Sequence, residues 1–306
     1  MRSPHHQHSA PATGFVDPYV LARISNLELA ARFAVDGFIN GLHRSPYLGL
    51  SLDFAEHRAY MPGDDIRRID WKLWARTDRY YVKEFEADTN ANFVVLLDIS
   101  KSMNYASKGI SKLDYGKFLG ASLAYFSNQQ RDRVGLVTFD QDIAAFVPPS
   151  AKHLNVVLHE IDRAKPARSG SLGPALQRAA GTLNRRGILV LISDLYEEPD
   201  QVFEAVKPLR FKGNDLIVFH VLDPAEIEFP FEGASSFEDV ETGERIPVVP
   251  ETQRERYREL IQNHIGALSK RFTDNQIEYQ LFDTATPLDY ALFTYLSNRE
   301  RLMKTR

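Results

Sequence analysis

Two carboxylates and three hydroxyls occur at spacings that suit the binding of a divalent metal ion. Asp98, Ser100 and Ser102 alternate directly after a strongly apolar run, Asp194 follows a later apolar run, and Ser171 lies between them where a helix is predicted to begin. Alternate residues of a chain that leaves a strand can face the same side, so one carboxylate and two hydroxyls can point at one position. An all-oxygen set favours a hard cation. The pattern therefore predicts a Mg²⁺ or Mn²⁺ site formed by these five residues.

Three other interpretations of the same residues stay open. Aspartate and serine after strands are common turn and cap residues, which would make the pattern structural. An enzyme, for instance a Mg²⁺-dependent phosphohydrolase with Asp98 as nucleophile, is a second alternative. Ser100 counts against it, because aspartyl phosphatases of the dehalogenase type have an acid–base aspartate there, and no histidine base, phosphate-binding glycine loop or nucleophile elbow accompanies the motif. The third is a vestigial site that binds nothing and serves as a scaffold.

Apolar strands alternate with helices from residue 91 onwards, which predicts an α/β fold with a doubly wound, mainly parallel sheet. Ligand sites in such sheets lie beyond the carboxyl ends of the strands, where the five residues fall. The predicted strands are 93–97, 134–139, 143–147, 188–192, 216–222 and 277–282. The predicted helices are 112–129, opened by a capping box, then 152–163, 172–184, 200–212, 252–272 and a last one from 286.

The chain is expected to have three parts. Residues 1–17 are rich in histidine, proline and serine and are predicted to be a disordered tail. Residues 18–90 form an N-terminal extension with a helix over 18–40 and strands near 48–55 and 79–87. Residues 91–306 form the main domain, which carries an acidic insertion with a hairpin over 223–250.

Composition excludes several classes of function. The chain has 306 residues, a formal net charge of −4 and no cysteine. Disulfides, thiolate nucleophiles and cysteine-based metal sites are therefore excluded. The net charge argues against a protein that coats nucleic acid. The longest apolar runs are far shorter than a membrane helix, and the start lacks a secretory pattern, so no membrane span and a cytoplasmic location are expected.

The five candidate ligands resemble the metal-ion-dependent adhesion site (MIDAS) of von Willebrand factor A-type domains. That motif reads Asp-x-Ser-x-Ser, then a threonine, then an aspartate, and the resemblance covers about residues 91–300. Ser171 stands at the threonine position, where it keeps the hydroxyl but lacks the methyl group that restricts the rotamer. The resemblance implies a von Willebrand factor A-like, Rossmann-like fold and a protein-interaction module without catalytic activity.

A long segment before the sheet resembles the signature of the domain-of-unknown-function 58 (DUF58) family. The segment runs from Tyr60 to Trp71 and is followed by Ala75-Arg76 and Lys83-Glu84. The resemblance implies an accessory or adaptor protein of a MoxR-type AAA+ ATPase that helps to assemble or mature client proteins. Many relatives have two membrane helices at the amino end, and the lack of such segments here suggests a soluble member.

The same segment mixes basic and aromatic residues with acids. Arg67, Arg68, Trp71 and Arg76 are the candidates for contacts with a partner, because arginine and tryptophan are frequent anchors of protein interfaces. Binding of nucleic acid is a second interpretation, against which the neighbouring acids and the net charge count. A structural network of salt bridges and aromatic contacts is the third.

Overall fold

The computed structural model describes residues 17–24, 26–44, 56–60, 73–74, 77, 79–84, 91–166, 171–183, 185–238 and 243–304. The strands are β1 (Glu56–Ala59), β2 (Tyr81–Glu84), β3 (Asn92–Asp98), β4 (Arg133–Phe139), β5 (Ile143–Ser150), β6 (Gly187–Ser193), β7 (Asp215–Leu222), β8 (Ser235–Glu238), β9 (Arg245–Val248) and β10 (Glu278–Asp283). The helices are α1 (Pro18–Leu21), α2 (Leu27–Arg44), α3 (Lys112–Gln129), α4 (Leu154–Arg163), α5 (Leu172–Thr182), α6 (Pro199–Phe211), α7 (Pro224–Glu228), α8 (Pro250–Asp274) and α9 (Leu288–Lys304).

A six-stranded sheet forms the centre of the fold. Its order is β10-β7-β6-β3-β4-β5, and every neighbouring pair is parallel except β4 and the edge strand β5. Strand β3 is buried along its whole length, as its run of apolar residues predicts for a strand covered on both faces. The prediction of a doubly wound, mainly parallel α/β sheet is confirmed.

Helices cover both faces of this sheet and form two apolar cores. One core joins α2, α3 and α9 to the sheet, and the other joins α5, α6 and α8 to the opposite face. Helix α3 begins where the sequence predicts, because the Ser111 side chain accepts a hydrogen bond from the amide of Asp114 at 3.0 Å. Helix α8 begins at Pro250, two residues before the predicted start at 252, since proline is favoured in the first turn of a helix.

The single helix predicted over 18–40 is two helices. Helix α1 ends at Leu21 and α2 begins at Leu27, with the side chain of Asn26 accepting a hydrogen bond from the amide of Leu29 at 3.0 Å. Helix α2 then continues to Arg44, and Phe38 packs edge-to-face on Phe126 of α3. This N-terminal helix therefore shares the core of the main domain.

The structure describes some of the other features predicted for the amino-terminal region. Strands β1 and β2 pair antiparallel, and β2 lies within the predicted strand 79–87. The predicted tail 1–17, apart from residue 17, and the predicted strand 48–55 lie outside the described residues. In the portions of the chain that are described, no helix is both long and apolar enough to cross a membrane.

The segment after β7 contains a short helix and a hairpin. Helix α7 follows β7 directly and was not predicted from the sequence, because five residues are too few for a periodic pattern. Strands β8 and β9 pair antiparallel at the predicted hairpin and form a two-stranded sheet of their own. Helix α7 brings the carboxylate of Glu226 to the end of the central sheet.

Close approach of β3 and β6 requires a glycine at residue 187. A Cβ atom there would lie 2.3 Å from the carbonyl oxygen of Asn92 and 2.8 Å from its Cβ. Gly187→Ala is expected to lower the free energy of unfolding by about 1–3 kcal/mol, because strand pairing must shift. Urea denaturation measures the effect.

Gly266→Ala is the matched control for this prediction. Gly266 is exposed in the middle of α8, and a Cβ would meet nothing within 4 Å. The control is expected to raise the free energy of unfolding by up to about 1 kcal/mol, because alanine is the better helix former. A Gly187→Ala protein as stable as the wild type would contradict the close approach.

Candidate functional site

A cleft of about 460 Å³ lies at the carboxyl ends of β3 and β6. All five residues predicted as metal ligands line it: Asp98, Ser100, Ser102, Ser171 and Asp194. Six further polar residues of the lining were not predicted from the sequence: Tyr105, Asp140, Ser193, Tyr196, Glu197 and Glu226. The structure thus brings the predicted residues together, and their role as metal ligands stays a prediction.

The turn after β3 holds Asp98, Ser100 and Ser102 on one side of the chain. The amide of Ser100 donates to Asp98 Oδ1 at 2.8 Å, which closes a tight turn at the end of the strand. The hydroxyl oxygens of Ser100 and Ser102 lie 3.1 Å apart and share a hydrogen bond. A carboxylate and two hydroxyls therefore face the cleft together, as the alternation in sequence predicts.

Ser193 holds the other oxygen of Asp98. Its hydroxyl donates to Asp98 Oδ2 at 2.6 Å and accepts from the amide of Leu195 at 3.2 Å. Leu195 has a φ of 49°, a left-handed conformation that is strained for a residue with a Cβ atom, and its carbonyl accepts a hydrogen bond from His264 Nε2 at 2.9 Å. Ser193 and His264 thus hold the backbone on either side of Asp194.

Burial and charge both act on Asp98. The side chain is buried, and its pKa is raised from an ordinary value near 3.8 to about 7, first by burial and then by the charge of Asp194, while the hydrogen bonds from Ser193 and Ser100 oppose the rise. A second carboxylate near a buried one penalises ionisation of the pair. A divalent cation between them would remove this penalty.

Asp194 is already paired with a lysine. Lys112 is fully buried, and its Nζ donates to Asp194 Oδ2 and to Glu226 Oε1, each at 2.8 Å. Burial alone would lower the pKa of Lys112, but the two carboxylates hold it above its ordinary value, so the ammonium is charged. The ring of Tyr196 lies over the ammonium, with its centre 4.6 Å from Nζ.

The sequence contained one weak signal for this lysine. Lys112 is the first residue of α3, directly after the capping Ser111. A positive charge is unfavourable at the amino end of a helix, so a buried lysine there needs carboxylates around it. Those carboxylates lie 82 and 114 residues further along the chain, at Asp194 and Glu226, and only the tertiary fold brings them close.

Ser171 differs from an ordinary helix cap. It precedes α5, but its side chain makes no capping hydrogen bond. The amide of Leu172 instead donates to Glu197 Oε1 at 2.6 Å. The hydroxyl of Ser171 is therefore not used for capping at the edge of the cleft, where the resemblance places a metal ligand.

The donor set fits a hard divalent cation that is held partly by hydroxyls. Two carboxylates, Asp98 and Asp194, balance the charge of such an ion, and three serines add neutral oxygen ligands. Over the described ranges, no group of three or more histidine, cysteine, aspartate or glutamate side chains is arranged to hold a metal. An ion bound in this cleft would therefore depend on the serine hydroxyls and on water.

The predicted partner-binding residues Arg67, Arg68, Trp71 and Arg76 lie outside the described residues. The described residues around this stretch include an aromatic group. The rings of Trp74 and Tyr80 stack with centres 6.0 Å apart. The contact between Arg67, Arg68, Trp71 or Arg76 and a partner stays a prediction.

Comparison with known proteins identifies the family. The sequence profile of the family described as "Protein of unknown function DUF58" matches residues 56–267, which include the segment that resembles its signature. The chain belongs to the DUF58 family. The expected DUF58 membership is thereby confirmed. The doubly wound sheet with one antiparallel edge strand agrees with the expected von Willebrand factor A-like fold.

Several relatives and solved structures are similar to this DUF58 chain. Uncharacterized protein Rv1480 of Mycobacterium tuberculosis and uncharacterized protein Mb1516 of Mycobacterium bovis are each 28% identical to it over 234 residues, which cover 74% of this chain and 73% of theirs. The crystal structure of conserved hypothetical protein BatB from Bacteroides thetaiotaomicron has a TM-score of 0.49 at 20% identity and covers 70% of this chain and 99% of that one. The SpRpn10 VWA domain has a TM-score of 0.40 at 12% identity, with 66% and 92% coverage.

The raised pKa of Asp98 predicts a pH-dependent stability in the presence of a chelator. The native protein keeps a proton on Asp98 that the unfolded chain releases between about pH 4 and pH 7, so the free energy of unfolding falls as the pH rises through that window. Asp98→Asn removes this contribution. The variant is expected to exceed the wild type in stability by up to about 4 kcal/mol at pH 8, with the gain vanishing towards pH 4.

Denaturant unfolding at a series of pH values, with EDTA throughout, measures this difference. Asparagine can accept from the amide of Ser100 and donate to the hydroxyl of Ser193, so the local hydrogen bonds are kept. Parallel stability curves for the two proteins across the window would contradict the raised pKa.

Proposed function

We propose that this DUF58 protein is a noncatalytic protein-interaction module whose cleft binds Mg²⁺ or Mn²⁺. The observation that supports the proposal most directly is the burial, hydrogen bonding and raised pKa of Asp98. Asp98 is a buried carboxylate whose oxygens accept hydrogen bonds from the amide of Ser100 and the hydroxyl of Ser193, and its pKa is raised first by burial and then by a second carboxylate of the same cleft. Such a pair at the carboxyl end of a doubly wound sheet is a place where a cation relieves a built-in repulsion.

The chain's own oxygens would hold the ion. Asp98, Ser100 and Ser102 come from one turn, Ser171 from the start of α5, and Asp194 from the end of β6. When bound, a divalent ion supplies a positive centre that can accept an anionic ligand from another protein. The side chains of Tyr105 and Tyr196 line the cleft, and Tyr196 is 44% exposed, so a partner would meet an aromatic rim around the charged centre.

The cleft supports binding better than catalysis. Its described lining contains no histidine, so the serine hydroxyls have no general base of that kind beside them. Asp98, the candidate nucleophile of a phosphohydrolase, accepts hydrogen bonds on both oxygens, and its raised pKa lowers the fraction that is ionised near neutral pH. Lys112, which lies beside the cleft, is held by two carboxylates. We therefore propose that the protein is not an enzyme.

The proposed partner is a MoxR-type AAA+ ATPase, together with its client proteins. The support for this partner is the resemblance of the signature segment, and no contact in the described residues bears on it. In this role the chain would act as an adaptor in the assembly or maturation of other proteins. The proposed location is the cytoplasm.

The first test of the proposal is a calorimetric titration with Mg²⁺ and Mn²⁺. The wild type is expected to bind one ion, and Asp98→Ala is expected to weaken binding at least about 100-fold, because it removes one of two charged ligands. Asp140→Ala is the matched control, since Asp140 lines the same cleft while its carboxylate accepts from the amide of Asp142 at 3.0 Å.

The control separates the loss of a metal ligand from the loss of a nearby negative charge. Asp140→Ala is expected to change the affinity by less than about fivefold, as a nearby charge does without ligation. Equal binding heats for wild type and Asp98→Ala would refute the metal site. Turnover of phosphate esters that disappears in Asp98→Ala would instead favour the phosphohydrolase.

The second test is a binding assay between this protein and a MoxR-type AAA+ ATPase, with Mg²⁺ and ATP present throughout. A chelator alone is a poor test, because it also removes Mg²⁺ from ATP. The informative comparison is between the wild type and Asp98→Ala at the same Mg²⁺ concentration. The variant is expected to lose at least about tenfold in affinity, which equals the loss of one charge-assisted contact.

Asp140→Ala again serves as the control and is expected to bind the ATPase like the wild type. If wild type and Asp98→Ala bind the ATPase equally, the cleft is not the docking site. If neither binds, the ATPase is not the partner, and the metal titration still decides whether the cleft holds an ion.

A further inference from the structure

The most unusual group beside the cleft is the buried ammonium of Lys112. It has no exposed surface, and its two ion-pair partners, Asp194 and Glu226, are largely buried as well. A lysine in such a place is costly unless its charge is matched, and here two carboxylates match it. One of those two carboxylates is a proposed ligand of the metal ion.

The ammonium and a metal ion would compete for the negative charge of Asp194. Lys112 Nζ lies 2.8 Å from Asp194 Oδ2, which is the distance of a direct charged hydrogen bond. An ion held by the same carboxylate would lie a few ångströms from the ammonium, and two cations at such a distance inside a protein repel strongly. Metal binding at Asp194 is therefore weakened unless Lys112 withdraws or its charge is matched elsewhere.

Glu226 offers the ammonium a second, fixed carboxylate. Its Oε2 accepts from the amide of Asp223 at 2.8 Å in the capping box of α7, which leaves Oε1 directed at Lys112. Asp223 is anchored in turn, because one of its oxygens accepts from the amide of Ser107 at 2.8 Å and the other from the amide of Ala225 at 2.8 Å. Glu226 is thus held in place whether or not Asp194 shares the lysine.

We propose that Lys112 sets the metal affinity of the cleft by competing with the ion for Asp194, and that Glu226 is the carboxylate to which it withdraws. The inference rests on the proposed metal-binding function and deepens it. In the metal-free protein the ammonium neutralises Asp194. In the metal-bound protein the ammonium pairs with Glu226 and stays under the ring of Tyr196, so the ion binds more weakly than its donor set alone would allow.

Two variants test the competition in opposite directions. Glu226→Gln keeps the shape of the side chain but removes the carboxylate to which Lys112 withdraws, so the affinity for Mg²⁺ is expected to fall about tenfold. The double variant Lys112→Met/Glu226→Gln removes one charge of each sign and leaves the net charge unchanged. Its affinity for Mg²⁺ is expected to rise about tenfold above that of the wild type, because no ammonium competes for Asp194.

The double variant is preferred to Lys112→Met alone, because the single change leaves two buried carboxylates unpaired and endangers folding. Circular dichroism checks the fold, and if the double variant does not fold, Glu226→Gln decides by itself. Lys117→Met is the matched control on the same helix, since the Lys117 ammonium donates to the carbonyl of Asp162 at 3.2 Å instead of to the cleft. This control is expected to bind Mg²⁺ like the wild type.

Calorimetry with Mg²⁺ alone separates the possible outcomes. If the wild type and both variants bind Mg²⁺ equally, the competition is refuted while the metal site stands. A double variant that binds more weakly than the wild type would also refute it, because Lys112 would then position Asp194 for the ion. Binding by the double variant but not by the wild type would support the competition. If no variant binds Mg²⁺, the proposed metal site and the competition both fall.

Discussion

The burial of two carboxylates at the ends of neighbouring strands is the constraint on which the rest of the site depends. The parallel register of β3 and β6 pairs Leu97 with Ile192, so Asp98 and the Ser193-Asp194 pair emerge side by side. Two like charges in that position cannot both be ionised without compensation. The surrounding structure treats the two carboxylates differently: Lys112 neutralises Asp194, whereas the oxygens of Asp98 accept hydrogen bonds from the hydroxyl of Ser193 and the amide of Ser100.

The doubly wound order of the sheet creates the place where these charges meet. Strand β3 pairs with β4 on one side and with β6 on the other. From β3 the chain runs to β4 and β5 at one edge of the sheet, and from β6 it runs to β7 on the opposite side. The connections after β3 and β6 therefore diverge and leave a crevice beyond their carboxyl ends. Helix α7 adds one more carboxylate, Glu226, at the same end of the sheet. Arg258 of α8 contacts this helix by donating from Nε to the carbonyl of Glu228 at 2.7 Å. The geometry of the cleft is thus a consequence of chain order more than of any one loop.

A feature could be predicted from the sequence when residues close to it in the chain cause it, and not when distant residues do. The alternation of Asp98, Ser100 and Ser102 has a local cause, a turn closed by an amide two residues away, and the structure brings these side chains together as predicted. The long apolar strands likewise carry their own pattern. Lys112 was not selected, because a positive charge at the start of a helix is only a weak signal, and the carboxylates that explain it, Asp194 and Glu226, come from distant parts of the chain. The break between α1 and α2 was missed for a different reason: the helical spacing of apolar residues continues across it, and the hydrogen bond to Asn26 that marks the new start is seen in the structure.

The buried ammonium of Lys112 would make ion binding in this cleft weaker and more dependent on a partner than in a permanent metal site. In the proposed competition the ion displaces Lys112 from Asp194, so part of its binding free energy is used to move the ammonium towards Glu226. An anionic group from a partner that also contacts the ion would add the missing negative charge. Linkage then makes the effect mutual, because a partner that tightens ion binding by some factor is itself bound more tightly by the same factor when the ion is present. The lysine would therefore favour an ion that is held firmly only while a partner is docked, which is a property of a reversible adaptor and not of a permanent structural metal centre.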